Sequence, residues 1–75
     1  MDEIPKNETR PVWIKYQDKQ SLIEDIGKFV WDPNERAFIE CVAGFDGIGL
    51  YDDEYNILKW ANKKKDLVSV VKGDF

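Results

Sequence analysis

The side chains most able to do chemistry in this chain are three Trp, three Tyr, four Phe, a run of carboxylates, a run of lysines and the single thiol of Cys41; histidine is absent. Histidine exchanges protons near neutral pH and is the commonest metal ligand, so catalytic triads and dyads built on it are excluded. Cys41 has no second cysteine to pair with, and its neighbours Glu40 and Val42 offer no cation to stabilise a thiolate. It reads as a small buried hydrophobe in a protein of a reducing, cytoplasmic compartment.

The charges separate along the chain. Asp46, Asp52, Asp53 and Glu54 make residues 46–56 net −4, whereas Lys59, Lys63, Lys64, Lys65 and Lys72 against Asp66 and Asp74 make residues 57–75 net +3. Carboxylate oxygens suit hard cations, but the Asp/Asn alternation and closing Glu of an EF-hand loop are missing, so neither a metal nor a cofactor is expected. The turn carboxylates Asp52, Asp53 and Glu54 form one candidate charged patch. Lys63, Lys64 and Lys65 form the other, able to contact phosphates and release counterions. On a chain of net charge −4 they make a small nucleic-acid footprint, and single-strand stacking would need aromatics beside them. The stretch Gly44-Phe45-Asp46-Gly47-Ile48-Gly49 lacks the third glycine, the helix and the βαβ context of a dinucleotide fingerprint. It predicts a sharp reversal or a bulge.

The aromatics are Trp13, Tyr16, Phe29, Trp31, Phe38, Phe45, Tyr51, Tyr55, Trp60 and Phe75. A small domain has interior room for roughly half of them, so the rest are expected at the surface, where Trp and Tyr are enriched at binding hot spots. Trp13, Trp31, Tyr51, Tyr55 and Trp60 are the candidate protein-binding residues.

These side chains need a scaffold, and 75 residues leave room for one domain with little interior for an enclosed catalytic pocket. Residues 1–10, polar apart from Met1, Ile4 and one proline, are expected to be a flexible arm, residues 11–72 the domain and residues 73–75 a tail. No basic segment followed by an apolar stretch opens the chain, and the longest apolar-rich run, residues 67–71, is far short of a membrane span. A cytoplasmic protein without membrane association is expected.

Residues 12–16, β-rich after Pro11, predict a strand. Residues 18–26 fit either a helical turn capped by Asp18 or Ser21 and stopped by Gly27, or an ordered loop, with Leu22, Ile23 and Ile26 pinned to the core in both. The clearest signal is a β-hairpin: residues 28–31 and 36–42 flank Asp32-Pro33-Asn34-Glu35, where proline presets the turn and Asp32 accepts from the backbone beyond it. In such strands Phe29 and Trp31 share a face, and Ala37, Ile39 and Cys41 form a small aliphatic face expected to look inward. Residues 50–61 read better as strands, with residues 50–51 pairing with residues 57–60 across the acidic turn, than as a helix. A final β-branched strand over residues 67–71 follows a turn at residues 62–66.

The fold expected is all-β: a strongly curved antiparallel sheet or SH3-like barrel of five to six short strands with one helical turn. The alternative is an α+β fold with a helix around residues 52–63 on a three- to four-stranded sheet. Trp60 before the polar residues 62–66, with Leu67 after them, resembles the ending of SH3-like and tudor-like domains, where a hairpin leads through a short 3₁₀ turn into the last strand. The function expected is a non-enzymatic module binding a protein through exposed aromatics and charged loops. Two alternatives are an acidic inhibitor that mimics nucleic acid toward a nucleic-acid-handling protein, of the kind small proteins of mobile elements supply, and weak nucleic-acid binding by lysines 59–65.

Overall fold

A computed structural model describes residues 3–42 and 47–68 of the chain. Five antiparallel strands form one sheet: β1 (Val12–Asp18), β2 (Glu24–Asp32), β3 (Ala37–Glu40), β4 (Gly49–Leu50) and β5 (Tyr55–Ala61), in the order β4-β3-β2-β1-β5. Among the described residues the sheet is not closed, because β4 and β5 remain its two edges. The only helical element among them is a 3₁₀ turn over Lys64–Asp66. Among the described residues no helix is long and apolar enough to cross a membrane.

The all-β expectation holds, and residues 55–61 are strand and not helix. Their pairing differs from the one expected. Leu50 pairs with Phe38 of β3, while β5 pairs with β1, placing Ile14 opposite Trp60 and Tyr16 opposite Ile57. The chain reverses sharply between them: the Tyr51 carbonyl accepts from both Glu54 N–H and Tyr55 N–H, each at 3.0 Å. This swings β5 away from its neighbour in sequence and onto the unpaired edge of β1. The register shifts between Lys15 and Tyr16, a bulge that leaves Leu58 without an opposite residue.

Alternation along β1 sends Val12, Ile14 and Tyr16 inward and Trp13 and Lys15 outward. The core is Val12, Ile14, Tyr16, Phe29, Phe38 and Leu50, with Ile4, Trp31, Ile48, Tyr55, Ile57 and Trp60 packed against it. Tyr16 meets Phe29 and Tyr55 edge to face at 5.4 and 5.6 Å. Burial, then the carboxylates of Asp25 and Glu40, push its phenol up to about 12.

On β3 the inward face is the other one. Phe38 is buried opposite Trp31, the two rings 5.1 Å apart, whereas Cys41 is exposed. The larger apolar surface of Phe38 takes the interior, so Cys41 is not the buried hydrophobe its neighbours suggested. Ala37 is buried as well, at the mouth of the turn. A side chain at Gly49 would meet the Tyr51 ring at 2.5 Å, so glycine serves close approach there. Gly44, Phe45, Asp46 and the predicted last strand beyond Val68 lie outside the described residues, and Leu67 and Val68 themselves are turn and bend.

Candidate functional site

Residues 18–26 form neither a helix nor a loop pinned to the core. They are the turn between β1 and β2 together with the start of β2, and two of their three aliphatics are exposed, Leu22 at 63% and Ile23 at 68%, while Ile26 is half-buried. The turn is tightly wired. Asp18 Oδ1 accepts from Gln20 N–H at 2.7 Å and Ser21 N–H at 2.9 Å, the Asp18 carbonyl accepts from Leu22 N–H at 2.8 Å, and Asp18 N–H donates to the Ile23 carbonyl at 3.0 Å. Ser21 Oγ accepts from Ile23 N–H, and the Gln17 side-chain amide donates to the Leu22 carbonyl. Those two backbone bonds to its carboxylate hold Asp18 below the usual carboxylate range.

Leu22 sits at φ 64°, the left-handed region that a residue with a Cβ enters at a cost of about 1–2 kcal/mol. The turn therefore holds two large aliphatics in water and one of them in an unfavourable backbone conformation.

The acidic turn after β4 lies against this tip. Lys19 N–H donates to the Glu54 carbonyl at 3.0 Å, and the Lys19 ammonium donates to the Asp52 carbonyl. A shallow cleft of about 350 Å³ runs between the turns, lined by Asp18, Lys19, Asp53, Glu54 and Tyr55 among others. Asp18, Glu24, Asp52, Asp53 and Glu54 thus stand at the end of the molecule that presents Leu22 and Ile23, with Lys19 among them and Lys15 paired to Glu24 at 3.5 Å. Among the described residues no group of three or more Cys, Asp or Glu side chains is arranged to hold a metal ion.

The other predicted residues are dispersed. Trp13 is half-buried on the outer face with the Lys64 ammonium 5.6 Å from its ring; Lys63 and Lys65 stand exposed beside it in sequence, at the 3₁₀ turn. Trp31 is half-buried on the inner face, under the Lys6 ammonium at 4.8 Å. Trp60 is half-buried against the core. Tyr51 donates its hydroxyl to Glu35 Oε1 at 2.7 Å, which raises its pKa. Tyr55 lines the acidic cleft and stacks edge to face on Tyr16. The structure brings Asp52, Asp53, Glu54 and Tyr55 to one end and leaves the three tryptophans apart. Every described aromatic is buried or half-buried, whereas Leu22, Ile23, Leu58 and Val68 are exposed. Sequence reasoning missed Leu22 and Ile23 because an i, i+1, i+4 aliphatic set was taken for a buried face.

No protein-family model, no curated protein and no solved structure matches this chain.

Proposed function

We propose that this chain is a non-enzymatic interaction module that docks on a partner protein through Leu22 and Ile23, its partner presenting a basic surface with an apolar depression. One observation carries the reading: two aliphatics about two-thirds exposed are held by a fully wired turn at the end of the molecule where Asp18, Glu24, Asp52, Asp53 and Glu54 also stand. Burying the exposed part of two such side chains on a partner contributes roughly 2–4 kcal/mol. The carboxylates add orientation and association rate more than affinity, and predict binding that weakens with salt. An unpaired, exposed Cys41 supports a reducing compartment such as the cytoplasm.

The test is parallel affinity capture with the wild-type chain and with Leu22→Ser/Ile23→Ser, followed by titration of whatever purified protein the wild type retains. A partner that is released by salt and bound at least tenfold more weakly by the double variant is expected. Equal affinity for the two chains would remove the tip from the interface. A second reading, favoured by the concentration of carboxylates at this end, makes the basic partner a nucleic-acid-handling protein and lets the carboxylates stand where phosphates would. On that reading an oligonucleotide competes with the chain for the partner; simultaneous binding of both would exclude it.

A further inference from the structure

The opposite problem, an apolar surface that the chain covers itself, arises at the open seam of the sheet. β4 is only Gly49–Leu50, and β5 pairs with β1, so no ladder joins the two edges. A cleft lies there, lined by the apolar Trp31, Phe38, Leu50 and Ile57, by the charged Arg36 and Asp52, and by the N-terminal arm itself. Ile4 packs against the core, and the Lys6 ammonium sits 4.8 Å from the centroid of the Trp31 ring.

We propose that this seam is a docking groove for an extended partner segment carrying an aliphatic residue and, two positions on, a lysine or arginine, and that residues 3–6 occupy it in cis. The seated arm displays the chemistry. In an extended chain, residues two apart face the same way, so Ile4 and Lys6 enter the groove together, one against the core and one over the indole. Pro5 between them has no N–H to leave unpaired and a preset φ. The arm is held by side chains alone: among the described residues, no backbone hydrogen bond is made by residues 3–6. A partner segment therefore competes with two side-chain contacts and has no ladder to unzip. Beside the arm the cleft retains about 280 Å³, space for a segment with a larger aliphatic or a longer basic side chain. Leu22 and Ile23 do not line this groove, so their substitution leaves it intact.

The experiment is an NMR titration of the full isotope-labelled chain with the synthetic peptide Asp-Glu-Ile-Pro-Lys-Asn, using Asp-Glu-Ser-Pro-Ser-Asn as the control. A groove occupied about nine-tenths of the time by its own arm loses about tenfold in apparent affinity. The full chain carrying Ile4→Ser/Lys6→Ser should therefore bind the first peptide about tenfold more tightly than wild type, with shifts at Trp31, Phe38, Leu50 and Ile57 and none from the control. A folded double variant that ignores millimolar peptide overturns the proposal. Should that variant unfold, the wild type decides alone: displacement of the Ile4 and Lys6 signals by peptide supports the groove, and their indifference to it overturns it. Concentration-dependent dimerisation in which the groove takes the arm of a second copy, and no added peptide, also overturns it.

Discussion

The β1–β2 and β2–β3 turns of this protein are built the same way and decorated differently. In each, an aspartate opens a four-residue turn, Lys19-Gln20-Ser21-Leu22 after Asp18 and Pro33-Asn34-Glu35-Arg36 after Asp32. Its Oδ1 accepts the backbone N–H groups two and three residues on, Gln20 and Ser21 in one turn and Asn34 and Glu35 in the other. The fourth turn residue lies in the left-handed region, Leu22 at φ 64° and Arg36 at φ 52°. The residue that closes the turn is Ile23 in the first, 68% exposed, and Ala37 in the second, 2% exposed. The second turn, with Arg36 and Ala37 there, shows that this backbone needs no large aliphatic at either position. Leu22 and Ile23 are surplus to the requirements of the hairpin, which is why they are assigned to docking and not to folding.

The comparison breaks most completely if its shared base is removed. β2 runs from one turn to the other, and Phe29, fully buried, fixes it to the core. Phe29→Ala is expected to cost about 3–5 kcal/mol, against a whole stability of roughly 4–11 kcal/mol for a domain of this size. Denaturant unfolding should show both turns lost in one transition. Next in size is Gly27→Ala on the same strand, where a Cβ would stand 2.8 Å from Phe29 Cε1 and 3.0 Å from Glu40 Oε2. The ring must shift, at about 1–3 kcal/mol, read as a fall in denaturation midpoint.

What was legible in the sequence follows the same division. The second turn could be read directly because Pro33 marks it and β-rich runs flank it. The first opens with the same aspartate at the same spacing, but Lys19 stands where the other has proline, and the aliphatics at 22, 23 and 26 mimic a helical face. Hydrophobicity alone implied burial for them, and the signal against it was the repeated Asp-led spacing. The sheet itself was legible from β-branched and aromatic runs. The partner of β5 was not, because pairing depends on which edge remains free after the tight reversal at Tyr51. Aromatics were expected outside for want of room; half-burial accommodates Trp13, Trp31, Tyr51, Tyr55 and Trp60 instead.

A smaller effect sharpens the comparison. Leu22→Gly and Arg36→Gly each relieve a left-handed residue, and each also adds freedom to the unfolded chain. The two are expected to act alike, within about 1 kcal/mol of wild type and toward greater stability. Binding should separate them: Leu22→Gly weakens the partner complex, and Arg36→Gly leaves it unchanged. Grafting the second turn's residues onto the first, as Leu22→Arg/Ile23→Ala, should keep stability within about 0.5 kcal/mol while abolishing docking. A large loss of stability in the graft would show the aliphatics to be structural.

The smallest effect concerns the aspartate that both turns share. Two backbone N–H groups stabilise the ionised Asp18 and lower its pKa, so the folded state releases its proton more readily than the unfolded chain, where an aspartate titrates near ~3.9. A folded pKa below the unfolded one means a stabilising contribution that is complete above the unfolded value and lost as pH falls through the folded one. Asp18→Asn keeps an acceptor oxygen and removes the titration. Its melting temperature should fall slightly below wild type near neutral pH, and the gap should close as the pH drops below about 4, a shallower acid decline for the variant. Asp18→Ala removes the acceptor as well and should melt lower at every pH. Asp32→Ala should likewise lower the melting temperature, since the N–H groups of Asn34 and Glu35 lose their acceptor. Parallel acid slopes for wild type and Asp18→Asn would show that the carboxylate holds its turn by shape alone, its charge contributing nothing.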